Sequence, residues 1–251
     1  MYKKNFKNNT FEYNYRSFER LLVEVASNDY IFCRFDLPLK NKRNKIIYLR
    51  HDVDISPLSA LKLGQIENNN GIKANFFFQI GADTYNIFSP KNIATIIELR
   101  KLGHCVGLHI DEQLLSEDEE KIMKTLNWFN DCIVDIDFVV SFHRPTNRVL
   151  GKKFTGFVNS YQAEYFSKDC YVSDSRRNKE FYPKLLNLLK NREPSIQLLL
   201  HPCWWYPENN IRKFKKILIK RRISEVNCYI KNNFTKAFRG TFQNENSNFG
   251  L

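Results

Sequence analysis

Between residues 46 and 202 the chain alternates short apolar runs with helical stretches, and no other feature limits its fold as much. The runs are IIYLRH (46–51), ANFFFQI (74–80), CVGLHI (105–110), FVVSFHRP (138–145), CYVSDS (170–175) and SIQLLLHP (195–202). Between them lie PLSALKLGQIENNNG (57–71), PKNIATIIELRKLG (90–103), EDEEKIMKTLNWFNDC (117–132) and KEFYPKLLNLLKN (179–191), which read as helices. Pro57 suits a first helical turn, Gly71 and Gly103 suit helix stops, and the acids at 117–120 favour a helix N-terminus. SFERLLVEVA (17–26) is a further amphipathic helix, and KNKRNK (40–45) is a charged loop. Strands that are apolar along their whole length are buried on both faces, which indicates a parallel sheet or barrel. Five or six such units predict a barrel-like α/β fold that need not close.

Nothing in the 251 residues resembles a linker or a solenoid repeat, so a single domain over 1–240 with a flexible tail at 241–251 is expected. No run approaches the ~18 to 20 apolar residues of a membrane span. The basic start, MYKKNFKNNT, lacks the apolar stretch of an export signal. Six cysteines, at 33, 105, 132, 170, 203 and 228, include no CxxC pair and read as reduced thiols. A cytoplasmic protein is the expectation, with peripheral attachment at the inner membrane face as its extension.

The net charge is +12. Nucleic acid ranks last among partners, because no zinc-finger spacing, phosphate-binding loop or RNP-type stretch accompanies the charge. The densest block, IRKFKKILIKRR (211–222), has seven basic residues and no acid. Ile211, Phe214, Ile217 and Leu218 recur at helical spacing, so the block reads as a packed helix with a solvated basic face. Docking on an anionic membrane surface is the alternative.

Of five histidines, four (His51, His109, His143 and His201) fall at or near the carboxyl end of a predicted strand, and His104 falls at the entrance to one. In parallel α/β folds the strand carboxyl ends form the rim on which active sites assemble. Histidines and aspartates meeting there, with Asp52, Asp54 and Asp174 among them, suggest a divalent metal site. In extended backbone Asp52 and Asp54 point the same way, while His51 alternates away from them. One carboxylate would hold the cation and the other would take a proton from the attacking water. The plainer reading is that Asp52 merely pairs with Arg50 or caps a turn.

Taken together, these segments resemble the polysaccharide deacetylase family, carbohydrate esterase family four, over roughly residues 46–205. HDVD is similar to its first motif, GHCVGLH (103–109) to its metal-histidine motif, SFHRP to its arginine–proline motif and LLLHP to its last. The resemblance implies a distorted (β/α) barrel of about seven strands. It implies Asp52 as base, Asp54 and His109 as metal ligands and His201 as acid. The family's second ligand histidine, four residues after His109, falls on Gln113, a poor ligand. His143 is the leading replacement and Asp111 an oxygen alternative; His104, water or no metal follow. Aligning SFHRP on its arginine makes Arg144 the partner of the base. Asp174, in YVSDS, resembles a motif that supports the acid histidine. It is grouped on the substrate side with Trp204 and Trp205, whose indoles suit a sugar ring.

The expected function is therefore a metal-dependent hydrolase, with Zn favoured and Co, Ni, Mn or Fe as alternatives. It would remove an acetyl or formyl group from an amino sugar in surface-polysaccharide or glycolipid biosynthesis. A nucleotide-linked sugar, a lipid-linked sugar and an oligosaccharide are the alternatives for the substrate. Two rivals are a metal-independent amidase of the same fold and a non-catalytic glycan-binding relative.

Overall fold

The computed structural model describes residues 11–37 and 45–238. The expected tail at 241–251 and most of the charged loop at 40–45 lie outside the described residues. The chain divides into two compact units, Met1–Pro207 and Glu208–Leu251.

In the first unit the elements follow the predicted order. Helix α1 (Tyr15–Ser27) is capped by the Asn14 side chain, which accepts from Ser17 N–H, and it buries Phe18, Leu21, Leu22 and Val25. Strands β1 (Tyr30–Phe32) and β2 (Lys45–Val53) follow, then α2 (Pro57–Asn69), with Ser56 as its cap, and β3 (Asn75–Gln79). Next come α3 (Pro90–Lys101), β4 (Cys105–Asp111), the single turn α4 (Glu112–Leu115) and α5 (Glu119–Cys132). The unit ends with β5 (Val139–His143), β6 (Val158–Asn159), β7 (Tyr171–Ser173), α6 (Phe181–Lys190) and β8 (Ser195–Leu200). Sequence reading missed β1, β6 and α4, which are too short to show a period.

All strand pairs are parallel, and the sheet runs β6-β5-β4-β3-β2-β8-β7, with β1 beside the start of β2. This is an α/β fold whose sheet curls into an open half-barrel. Among the described residues its end strands, β6 and β7, do not pair with each other. β2 shows both faces. Ile47, Leu49 and Val53 join the apolar layer shared with α1 and α2, while Ile46 and Tyr48 turn inward onto Phe35, Phe77, Cys105 and Val139. Close approach of β4 to β5 requires Gly107, because a β-carbon there would lie 2.2 Å from Val139 O.

Among the described residues the second unit contains one helix, α7 (Ile211–Asn233), capped by the Asn210 side chain. It carries the basic block, and of its side chains only Phe214 is buried. Ile217, expected on a packed stripe, is instead 50% exposed. No described helix is long and apolar enough to cross a membrane. All six cysteines are free.

Candidate active site

The tip of β2 carries the alternation of its faces up to the rim. Arg50, Asp52 and Asp54 follow Tyr48 on the inner face, and His51 points outward. Arg50 is fully buried, and its guanidinium is forked onto Asp52, with Nε–H to Oδ1 at 2.9 Å and an Nη2–H to Oδ2 at 2.7 Å. It also donates to Gln197 Oε1 (3.1 Å), Tyr161 OH (2.9 Å) and Ser141 Oγ, and lies 4.4 Å from the Tyr161 ring centre. These partners come from β8, β5 and the segment after β6, so the curl of the sheet is what satisfies the cation. Burial alone would raise the Asp52 carboxyl, but the charge and hydrogen bonds of Arg50, with the charge of His201, hold it far below the usual carboxylate range.

Asp54, His109 and His143 meet at the same rim. Their donor atoms all lie within 4.8 Å of one another. His109 Nδ1 lies 3.1 Å from Ser141 O and 2.9 Å from Ser141 Oγ. A backbone carbonyl can only accept, so Nδ1 carries the proton and Nε2 presents its lone pair to the site. That lone pair lies 3.4 Å from Asp54 Oδ1, 3.6 Å from Asp52 Oδ2 and 3.0 Å from His143 Nδ1. Burial lowers the His109 pKa despite the nearby aspartates, which keeps the ring neutral, as a ligand must be. Asp54 Oδ1 is buried and has no hydrogen-bond partner among the described residues. Acceptor atoms gathered around one point repel unless a cation or a proton lies between them, and an unsatisfied buried oxygen is costly. One carboxylate oxygen and two imidazole nitrogens suit Zn and its first-row neighbours. The donor set fits a divalent metal.

His201 faces this group from the end of β8, with Nε2 3.7 Å from Asp54 Oδ2. Its Nδ1 lies 2.6 Å from Asp174 Oδ1, and its backbone N–H donates to the same oxygen at 2.9 Å. Burial works against the imidazolium. The hydrogen bond and charge of Asp174, with the charges of Asp52 and Asp54, outweigh it and raise the His201 pKa to about 9.

The rim thus assembles Asp52, Asp54, His109, His143, His201 and Asp174. The other candidates are placed differently. Arg144 is exposed, with φ 53°, and makes no ion pair among the described residues; Arg50 is the cation on Asp52. Asp111 caps α4 by accepting from Gln113 N–H, and Gln113 is exposed. His104 is buried away from the rim, accepting from Ala74 N–H at 3.1 Å and pairing with Gly64 O at 2.9 Å. Trp205 cannot stack on a sugar: it is fully buried and donates its indole N–H to Asp174 Oδ2 at 3.1 Å. Asp174 is likewise fully buried, so it holds His201 rather than meeting solvent-borne substrate. Trp204 is half-buried, and its Nε1 has no hydrogen-bond partner among the described residues.

Ser141, Tyr161 and Gln197 escaped sequence reading. The alternation of β5 and β8 places Ser141 and Gln197 inward, and a polar residue within an apolar strand was the available signal.

His143 is the expected third ligand. His143→Ala should lower metal content well below that of the wild type, whereas exposed Gln113→Ala should leave it unchanged, both by elemental analysis of untagged protein. Full occupancy in His143→Ala would transfer the role to Asp111.

No family model matches the chain, and no curated protein matches it. Among solved structures the chain is similar to the Bdellovibrio bacteriovorus peptidoglycan deacetylase Bd3279, with a TM-score of 0.42 and 15% identity. The match covers 78% of this chain and 54% of that one, so the chain spans about half the length of that neighbour. A likeness at this level carries no weight for activity or for individual residues.

Proposed function

We propose that the chain is a metal-dependent amide hydrolase that removes an N-acyl group from an amino sugar. The observation that carries this reading is the meeting, on one rim, of a metal-competent Asp54–His109–His143 group, an ionised Asp52 and a protonated His201. A binding module needs none of that division of labour.

Asp54, His109 and His143 would hold the metal, which when bound acidifies water and polarises the amide carbonyl. Arg50 keeps Asp52 ionised, so its carboxylate is always available to accept the proton of the attacking water. The same pairing makes Asp52 a weak base, since the proton must compete with a guanidinium. Water of ordinary acidity would not yield to it, and this favours metal-dependent hydrolysis over the metal-free alternative. His201 holds a proton on Nε2, opposite the nitrogen tied to Asp174, and delivers it to the departing amine as the carbon–nitrogen bond breaks. Water supplies the hydroxyl that leaves with the acyl group as a carboxylic acid. The half-buried Trp204 indole, two residues after the turn proline, supports a sugar as the substrate.

The test is release of acetate or formate from N-acyl amino sugars offered free, as oligosaccharide, nucleotide-linked and lipid-linked. Turnover should vanish on chelation and return with Zn, Co, Ni, Mn or Fe. Because His201 must be protonated to act, turnover should fall as pH rises through about 9. Full turnover in the chelated protein would overturn metal dependence, and no release from any of the four classes would overturn the hydrolase reading.

A further inference from the structure

The peptide between Leu200 and His201 is held at both of its polar groups by buried side chains. Its N–H donates to Asp174 Oδ1 at 2.9 Å, and its carbonyl lies 3.1 Å from His51 Nδ1. His51 is on the outer face of β2, fully buried, with its ring stacked on Phe76 at 4.6 Å and 25°. Since a carbonyl only accepts, His51 carries a proton on Nδ1 and donates it to Leu200 O. The other ring nitrogen, Nε2, lies 2.5 Å from Glu67 Oε1 on α2, and Glu67 is fully buried as well. Glu67 Oε2 makes no hydrogen bond and lies 3.7 Å from His104 Nδ1. That nitrogen already accepts from Ala74 N–H, and burial lowers the His104 pKa, so His104 does not supply a proton to Glu67. Among the described residues Glu67 therefore has one partner for its charge or its proton, and that partner is His51.

We infer that Glu67 and His51 are a positioning pair that orients His201 through the 200–201 peptide, and that this is why the tip of β2 carries a histidine beside its two aspartates. The inference rests on the reading of His201 as the proton donor. Glu67 anchors His51 through Nε2, His51 fixes the Leu200 carbonyl through Nδ1–H, and the carbonyl fixes the plane from which His201 departs. A tilt of ~10° in that plane moves a ring nitrogen ~6 Å away by ~1 Å, a displacement that costs ~100-fold in rate. Neither residue touches substrate.

The test compares three proteins, each loaded with metal. In His51→Phe/Glu67→Met both members of the buried pair become apolar together, which strands neither the carboxyl nor the imidazole and leaves only the Leu200 carbonyl without its side-chain donor. This variant should keep its metal and KM, lose ~10- to 100-fold in kcat, and show a shifted backbone amide resonance for His201. Glu67→Gln can still donate to His51 Nε2, so it should recover most of the kcat and restore the resonance. The amide shift needs no substrate, so it decides the inference even where the hydrolase reading fails. An unmoved His201 amide or wild-type kcat in the double variant would overturn it. So would loss of metal in step with kcat, or a Glu67→Gln protein as impaired as the double variant. Should the double variant not fold, Glu67→Met alone is judged by the same readouts.

Discussion

Asp52→Asn, purified and supplied with metal, is expected to bind about one equivalent per chain while losing ~100- to 10,000-fold in turnover. Asp54→Ala is expected to lose both. The two aspartates sit two residues apart on one face of one strand, yet their surroundings divide them. Asp52 spends both oxygens on Arg50. Asp54 keeps Oδ1 buried and unpartnered, 3.4 Å from the His109 lone pair. An amide in place of the Asp52 carboxylate preserves volume and one acceptor but cannot take up a proton, so chemistry stops while the ligands stay in place. Removing Asp54 leaves two imidazoles, too few to retain a cation against dilution. Thermal melting of each variant separates loss of function from loss of fold. If Asp52→Asn loses metal as completely as Asp54→Ala, the roles assigned to the two carboxylates are wrong.

That division was partly legible before the fold was known. The period of two along β2 separates His51 from Asp52 and Asp54, and the parallel sheet brings the ends of β2, β4, β5 and β8 together as the alternation implied. His109 and His143 meet because they end neighbouring strands, with His143 in register with Asp111. What the sequence concealed was who partners whom. Arg50 had a plain local reading, pairing with Asp52, and a functional rival in Arg144. Both aspects of the local reading turn out to matter, because the pair is buried inside the curl and Asp52 still faces the rim. Choosing between the arginines depends on distances across the sheet, which no spacing encodes. Glu67 was invisible for a similar reason. A glutamate within a helix is ordinarily a solvated residue, and only the packing of α2 on β2 reveals a carboxylate with no solvent and one histidine. Trp204 and Trp205 are adjacent, yet one is half-buried against the apolar core and the other is fully buried beneath Asp174.

Arg50→Met should destabilise the protein by ~3 to 5 kcal/mol at neutral pH, since removing one partner of a buried ion pair strands the other. For a chain of this size that lowers the midpoint of thermal unfolding by roughly 6 to 20 °C. Gln197 Oε1 and Tyr161 OH lose their donor at the same time. The penalty should shrink on acidification, and the sign follows from the Asp52 pKa. In the wild type that pKa is depressed on folding, so its stabilising contribution is complete above the unfolded value near 4 and is lost as pH falls below it. In Arg50→Met the carboxyl is buried without its cation, its pKa rises, and protonation relieves the cost. The wild type and the variant should therefore converge in stability as pH falls toward 4. At neutral pH, Arg50→Met/Asp52→Asn should be more stable than Arg50→Met alone, because the stranded charge is gone. Arg144→Met, at an exposed site, should change stability by no more than ~0.5 kcal/mol. If the double variant is no more stable than Arg50→Met, the pair is not what Arg50 stabilises. If Arg144→Met instead reproduces the loss and its pH dependence, the arginine that holds Asp52 is the one after β5.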